Sequence, residues 1–377
     1  MAGIYIHVPF CKKKCIYCDF YSIGALSKIP KYHLLIEKEL ALRKDFIGNA
    51  SIDTIYFGGG TPSLLPPKSI AQILNSIYKT FQISANPEIT IEVNPDDLTG
   101  EIVRSYISNG INRLSIGVQS FIDEELFFLG RRHNAASAEK SIALALNNGI
   151  DNISIDLIYG QPNSSISSWD YNLKKAFSFG IKHLSCYHLT YEDGTMLTRQ
   201  LSNLKIHEVD ESISVQQFEL LRERSKQNGF IHYEVSNFAK DGCFSRHNTS
   251  YWQGIHYLGL GPAAHSYNGL CREWNPSSYP EWELGVESEK PELQSENIGV
   301  QNRFNEILLT HLRTIWGVDL SVLMQDFGNA MVDQLLLNAE LYLKANKLDI
   351  KNNHLLIPPE HFFTSDGIIG DLIIVDD

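Results

Sequence analysis

The sequence lacks what a membrane span needs. No stretch approaches ~20 uninterrupted apolar residues. The opening MAGIYIHVPF has neither the basic lead nor the apolar core of a signal peptide. Positive charge is scarce: 32 Lys and Arg stand against 44 Asp and Glu, a net charge of −12. Such a chain is a poor generic binder of nucleic acid, which needs clustered basic side chains. Cysteine is rare, six in 377 residues, too few for a disulfide scaffold. No Gly-Lys-Ser/Thr follows the single glycine run, so there is no Walker loop. Low-complexity tracts are absent. What remains is a globular chain, 43% hydrophobic and 20% charged, long enough for a large domain and a smaller one. A cytoplasmic location is expected, and with it reduced thiols.

Three of those six cysteines nonetheless crowd into FCKKKCIYCDFY, as Cys11, Cys15 and Cys18. In a reducing compartment a C-x3-C-x2-C cluster reads as metal or redox chemistry. A structural zinc site needs a fourth ligand and usually a second cysteine pair. His7 or Asp19 could complete one, but no second pair exists, and Cys186, Cys243 and Cys271 are scattered. Three thiolates on one short loop suit a [4Fe-4S] cluster with one iron left open for a small chelating ligand. The lysines at 12–14 would lower thiol pKa or meet an anionic partner.

Short β-rich runs recur at 4–8, 54–58, 89–93, 113–118, 153–159 and 183–189, with helical patterns at 71–81, 101–111, 137–150 and 168–181. This alternation predicts parallel strands with right-handed crossovers. Six units fit an open TIM-like (β/α)6 barrel better than a closed eight-stranded one, with a doubly wound sheet as the alternative. In either, chemistry collects at the C-terminal strand ends. The cysteines, the run GGGTP at 58–62, Glu92, Gln119 and Asp156 all fall at or near such ends.

The pattern predicts a barrel over 1–195 and a connecting region over 196–300. Within the latter, 207–229 reads as a helix, 231–239 as a strand and its exit, 242–269 as a loop-dominated stretch, and the acidic, polar 279–300 as a linker or excursion. A mainly helical tail over 301–377 ends in a hairpin about Asn352-Asn353, which suggests a winged-helix-like domain. The acidic chain favours a packing role for that tail over DNA binding.

C-x3-C-x2-C after the first strand of such a barrel resembles the radical S-adenosylmethionine (SAM) superfamily. The resemblance implies SAM chelated to the open iron, and its reductive cleavage to a 5′-deoxyadenosyl radical. YFGGGTPS is similar to that superfamily's SAM amino-group loop, which implicates Gly59, Gly60 and Thr61. YIHVPFC is similar to the lead-in of the coproporphyrinogen dehydrogenase (HemN) group, which brings Tyr5 to SAM. In that group Glu92, Gln119, Arg131 and Asp156 resemble the ribose, carboxylate and adenosine contacts of SAM. A carboxylate inside an apolar strand needs a partner, and an arginine suits a carboxylate.

The oxygen-independent coproporphyrinogen III oxidases of the group carry a longer N-terminal arm and a fourth cysteine, where this sequence has Phe20. RHNTSYW at 246–252 instead resembles the H-N-x-x-Y-W motif of HemW-type heme chaperones. That resemblance implies heme held by His247, Asn248, Tyr251 and Trp252; His256 and His265 stand nearby as fallback ligands. It also implies a chaperone that passes heme to an acceptor hemoprotein, such as a membrane respiratory enzyme. A reductant such as flavodoxin or ferredoxin would serve the cluster, and the reading leaves room for a homodimer. The oxidase, which decarboxylates two propionates, is the alternative. A radical SAM enzyme acting on tRNA is disfavoured by charge and by the lack of an added basic domain.

Overall fold

The computed structural model describes residues 1–375. Its frame is β1 (Ala2–Val8), β2 (Ile52–Gly59), β3 (Ile83–Val93), β4 (Arg113–Gln119), β5 (Ile153–Tyr159) and β6 (His183–His188). These stand side by side in chain order, each parallel to the next. The open (β/α)6 arc expected from the alternation is therefore present. On β1, Ile4, Ile6 and Val8 are fully buried in the core that the outer helices complete, while Tyr5 and His7 turn to the inside of the arc.

Six helices connect the arc: α1 (Ile29–Arg43), α2 (Pro67–Thr80), α3 (Gly100–Ser108), α4 (Asp123–Phe128), α5 (Ala135–Asn147) and α6 (Ile166–Ser178). Side chains start three of them. Thr99 accepts from the Ile102 amide, Asn134 from Ser137, and Ser165 and Ser168 form a capping box. Gly149, with φ +95°, ends the turn after α5 in a conformation that other residues resist.

Helix α1 is not announced by an apolar stripe, because its inward face carries Glu39 and Arg43, both buried. Glu39 accepts from the Gly261 amide at 2.8 Å, Asn275 Nδ2 at 2.6 Å and Trp282 Nε1 at 3.0 Å. Arg43 donates to the Gly259 carbonyl and to Glu273. This pair ties the barrel to the segment 257–290. Glu39→Ala would leave three donors and a buried guanidinium short of an acceptor, a loss of about 3–5 kcal/mol for a broken buried pair. Denaturant unfolding should show that loss, with early proteolysis of 257–290.

Beyond β6 come α7 (Met196–Ser202) and α8 (Glu211–Gln227), then β7 (Ile231–Glu234) and β8 (Asn237–Ala239), which extend the sheet antiparallel at the β6 edge. Two expectations for the connecting region are corrected. The stretch 242–269 is structured, not a loop: it holds α9 (Arg246–Trp252), β9 (Tyr257–Leu260) and β10 (His265–Tyr267). Strand β9 pairs parallel with β1, and β10, β11 (Cys271–Trp274) and β12 (Gln294–Asn297) continue antiparallel to make a 12-stranded sheet. The stretch 279–300 is no linker either. It holds β12 and α10 (Tyr279–Glu287), which buries Tyr279, Trp282 and Val286. Pro280 sits in the first turn of α10, where its missing N–H costs nothing.

The tail runs α11 (Val300–His311), β13 (Val318–Asp319), α12 (Leu320–Phe327), α13 (Asn329–Lys344), β14 (Asp349–Lys351), β15 (His354–Leu356) and α14 (Ser365–Leu372). Asn352 and Asn353 turn the β14–β15 hairpin with φ of 50° and 64°, the double left-handed step of a tight hairpin turn. The tail joins the sheet edge through the amide of Ile315 on the carbonyl of Tyr233 and that of Val235 on the carbonyl of Arg313. Among the described residues no helix is long and apolar enough to cross a membrane.

Candidate functional site: a thiol loop between two cavities

The chain leaves β1 into the loop that carries Cys11, Cys15 and Cys18, all half-buried. Burial pushes the Cys18 thiol up to about 11, and the neighbouring Cys15 and Cys11 add to the rise. Three thiolates this close repel one another unless a cation sits among them. Among the described residues no three metal-binding side chains converge as one ion would require. Cys11 Sγ lies 3.3 Å from Thr61 Oγ1, and Arg131 Nη1 donates to Cys15 Sγ at 3.4 Å. A buried guanidinium and a hydroxyl aimed at sulfur are what anionic thiolates need. The residues present fit a [4Fe-4S] cluster.

Beside the loop, over the C-terminal ends of β2 to β5, lies a cavity of about 790 Å³. Gly59, Gly60, Thr61, Glu92, Gln119, Arg131 and Asp156 all reach it, as does Cys18. Gly60 permits the closest approach: a Cβ there would sit 2.9 Å from the carbonyl oxygens of Val8 and Phe10. Glu92 accepts from Tyr56 Oη at 2.8 Å and the Gly59 amide at 3.1 Å. Burial, aided by nearby Asp156, pushes its carboxyl up to about 7. Asp156 accepts from Ser115 and Ser154 and is likewise raised by burial. Gln119 closes β4 with φ +68°, a strained backbone held at a cavity wall.

Arg131 is less free than the motif implies. Its Nη2 already donates to Asn94 Oδ1 and the Gly117 carbonyl, both at 2.6 Å, while Nε is buried without a partner. Tyr5 faces elsewhere. It lies outside this cavity, with its hydroxyl on His7 Nδ1 at 3.1 Å and its ring stacked on Tyr56. Sequence reasoning passed over Asn94, Ser115 and Tyr56. Asn94 shares the face of Glu92 two residues on, and Ser115 pairs across from Glu92 in register. Strand parity could have found both.

Helix α9 is a plug in the barrel. Glu88 of β3 accepts its first amides, Arg246 at 3.1 Å and His247 at 3.0 Å, and Ser245 caps it. His247 is 1% exposed and stacks on Tyr56 with ring centroids 4.9 Å apart. Its Nδ1 meets Thr54 Oγ1 at 2.7 Å and its Nε2 meets Tyr251 Oη at 2.8 Å. Burial holds the ring neutral, with pKa down to about 3. Both nitrogens are thus engaged inside the protein. Trp252 reaches the 790 Å³ cavity, Tyr251 reaches a second one, and Asn248 reaches neither.

That second cavity, about 1300 Å³, lies across the cysteine loop, between β1, β9–β11 and α11. Asp19 and Phe20 line both cavities, so the loop is the wall between them. His256 and His265 line the second.

A parallel six-stranded arc, three thiols after its first strand and a polar cavity on its rim define a radical SAM protein. The model of the Radical SAM superfamily matches residues 5–176. Its cofactors are accordingly a [4Fe-4S] cluster and SAM. The heme chaperone HemW of Mycobacterium tuberculosis is 31% identical over 378 residues, covering 98% of this chain and 94% of that protein. HemW of Haemophilus influenzae is 39% identical over 269 residues, 70% of this chain and 69% of that one. The structure of coproporphyrinogen III oxidase (HemN) from Escherichia coli matches with a TM-score of 0.85 over 99% of this chain and 90% of its own. At 21% identity that likeness carries the fold alone. The chain belongs to the HemW family, within the HemN-like group of radical SAM proteins.

Proposed function

We propose that this protein binds heme and hands it to an acceptor hemoprotein. The observation that carries the reading is the identity to heme chaperones across nearly the whole chain, the connecting region and tail included. A cavity of ample size and aromatic lining on the far side of the cysteine loop supports it. So does Phe20 at the place of the oxidases' fourth cysteine, where its ring is 61% exposed between the two cavities.

In this reading Cys11, Cys15 and Cys18 hold the cluster, and Arg131 and Thr61 face its sulfur ligands. Glu92, Asp156, Gln119 and the Gly59–Thr61 loop hold SAM. When bound, the cluster and SAM would supply a reducible iron centre and a chelated sulfonium. The chain's own part is to present hydrogen-bond acceptors, Glu92 and Asp156, to hydroxyl and amine N–H donors in the cavity over the strand ends. Binding and release of heme would proceed on the other face of the loop, in the cytoplasm, with a membrane respiratory hemoprotein as a fitting acceptor and a flavodoxin or ferredoxin as a fitting reductant.

The competing activity is direct to test. Cluster-reconstituted protein given coproporphyrinogen III, SAM and dithionite should release no CO2. Stoichiometric release of two CO2 per porphyrinogen would replace the chaperone reading with the oxidase.

A further inference from the structure

We propose that heme is carried in the 1300 Å³ cavity with its iron on His265, and that His247 is a positioning residue for the SAM cavity, not a heme ligand. The first part rests on the heme-binding reading above; the geometry supplies the rest.

A heme that is to be given away needs an imidazole that is both open to the cavity and free on its ring. Six histidines bear on the region. His247 has both nitrogens bonded and is sealed in the barrel. His7 has both bonded as well, to Tyr5 Oη and the Tyr21 carbonyl. His188 lies in the other cavity and bonds Ser214. His311, on the α11 wall, has its Nδ1 on Thr310 and is half-buried, less open than His265. His256 points its Nε2 at the hairpin turn, 2.8 Å from where a Cβ on Gly269 would stand. Only His265, among the described residues of the cavity wall, is both exposed and without a hydrogen bond on its ring. Its direction is fixed from two sides. Ser266, the next residue on β10, points into the core toward Arg43, so His265 points away from it. Trp274, its partner in register on β11, stacks on its ring at 5.6 Å and 17°. An imidazole held by an indole and open at its edge is a prepared axial ligand.

The rest of the cavity suits a flat, two-carboxylate macrocycle. Tyr257, Tyr267 and Phe20 offer apolar faces. Lys14 at the cavity wall is in no ion pair among the described residues, and Arg303 holds Asp326 through one nitrogen only. Both are placed to meet propionates. Arg272 is already taken by Glu296 and Glu306. His247 plays a different part, since its ring supports Tyr56, whose hydroxyl supports Glu92.

The test is anaerobic heme titration of the cluster-loaded full chain, followed by its Soret band and by EPR, with SAM binding measured in parallel. His265→Ala should weaken heme about 10–100-fold, the usual scale for damage to a metal site, and should leave cluster content and SAM affinity unchanged. His265→Met should retain heme but exchange the imidazole signature for a thioether one. His247→Ala should keep the wild-type heme spectrum and weaken SAM. Wild-type heme spectra in both His265 variants would overturn the proposal, as would transfer of the effect to His247→Ala, His256→Ala or His311→Ala. If the wild type itself takes up no heme saturably, the chaperone reading fails first, and this proposal with it.

Discussion

Cys15→Ala is expected to empty the protein of its cluster. Iron and sulfide should fall from about four each per chain to background, since three thiolates are the whole protein ligand set. Cys15 is the thiol that Arg131 addresses, so its loss also leaves that guanidinium without its sulfur acceptor. Cys11→Ala and Cys18→Ala should behave alike. SAM binding should vanish with the cluster, because the open iron supplies the chelate. Cys243→Ala and Cys271→Ala, on distant elements, should keep full iron and full SAM binding. Iron and sulfide analysis after anaerobic reconstitution reads the effect directly. A single zinc per chain, or an intact cluster in Cys15→Ala, would refute the assignment.

The second large effect is expected at Glu92, and it depends on pH. The carboxyl is raised from its ordinary 4.5 to about 7 by burial, with Asp156 adding to the rise. Tyr56, the Gly59 amide and Arg113 pull the other way. In the folded, ligand-free protein it therefore stays protonated across a window where the unfolded chain ionises. Unfolded chain then holds fewer protons, so this group costs stability as pH climbs from 4.5 toward 7 and costs nothing below 4.5. Hydroxyl and amine N–H donors of SAM favour the charged form. SAM should thus bind with release of a proton and tighten as pH rises toward 7, by up to about tenfold per unit. Glu234, also pushed up to about 7, is not part of the SAM cavity wall and should add only to the stability term. Glu92→Gln should weaken SAM about 10–100-fold at about pH 8, the worth of a charged hydrogen bond, and flatten the pH dependence. Calorimetry in two buffers of different ionisation heat measures both. Equal affinity and equal proton release in the variant would remove Glu92 from the site.

The arc was legible because its strands are buried on both faces. Runs such as ISIDLIY at 153–159 are almost continuously apolar and rich in β-branched residues, and the one charged residue there, Asp156, marks the rim. The cysteine loop was legible because its three thiols lie within eight residues of one another. Where partners come from far along the chain, the sequence was silent. Helix α9 is seven residues of poor helix formers, and it exists because Glu88, on a strand 159 residues earlier than His247, accepts its first amides. Helix α1 hides its register behind Glu39 and Arg43, whose partners lie beyond residue 258. For the same reason His247 looked like a free ligand: Thr54 and Tyr56, which occupy and cover it, belong to β2, with Thr54 193 residues earlier in the chain.

Heme, on this reading, is held in order to be given away. The most direct test loads the cluster-reconstituted protein with one heme, removes excess, and mixes it anaerobically with a heme-free membrane respiratory cytochrome. The Soret and α bands of donor and acceptor are followed together. Saturable loading at one heme per chain is expected, then transfer faster than heme leaves the donor alone. Heme that never loads saturably, or that reaches the acceptor only at the rate of spontaneous loss, would contradict a chaperone role.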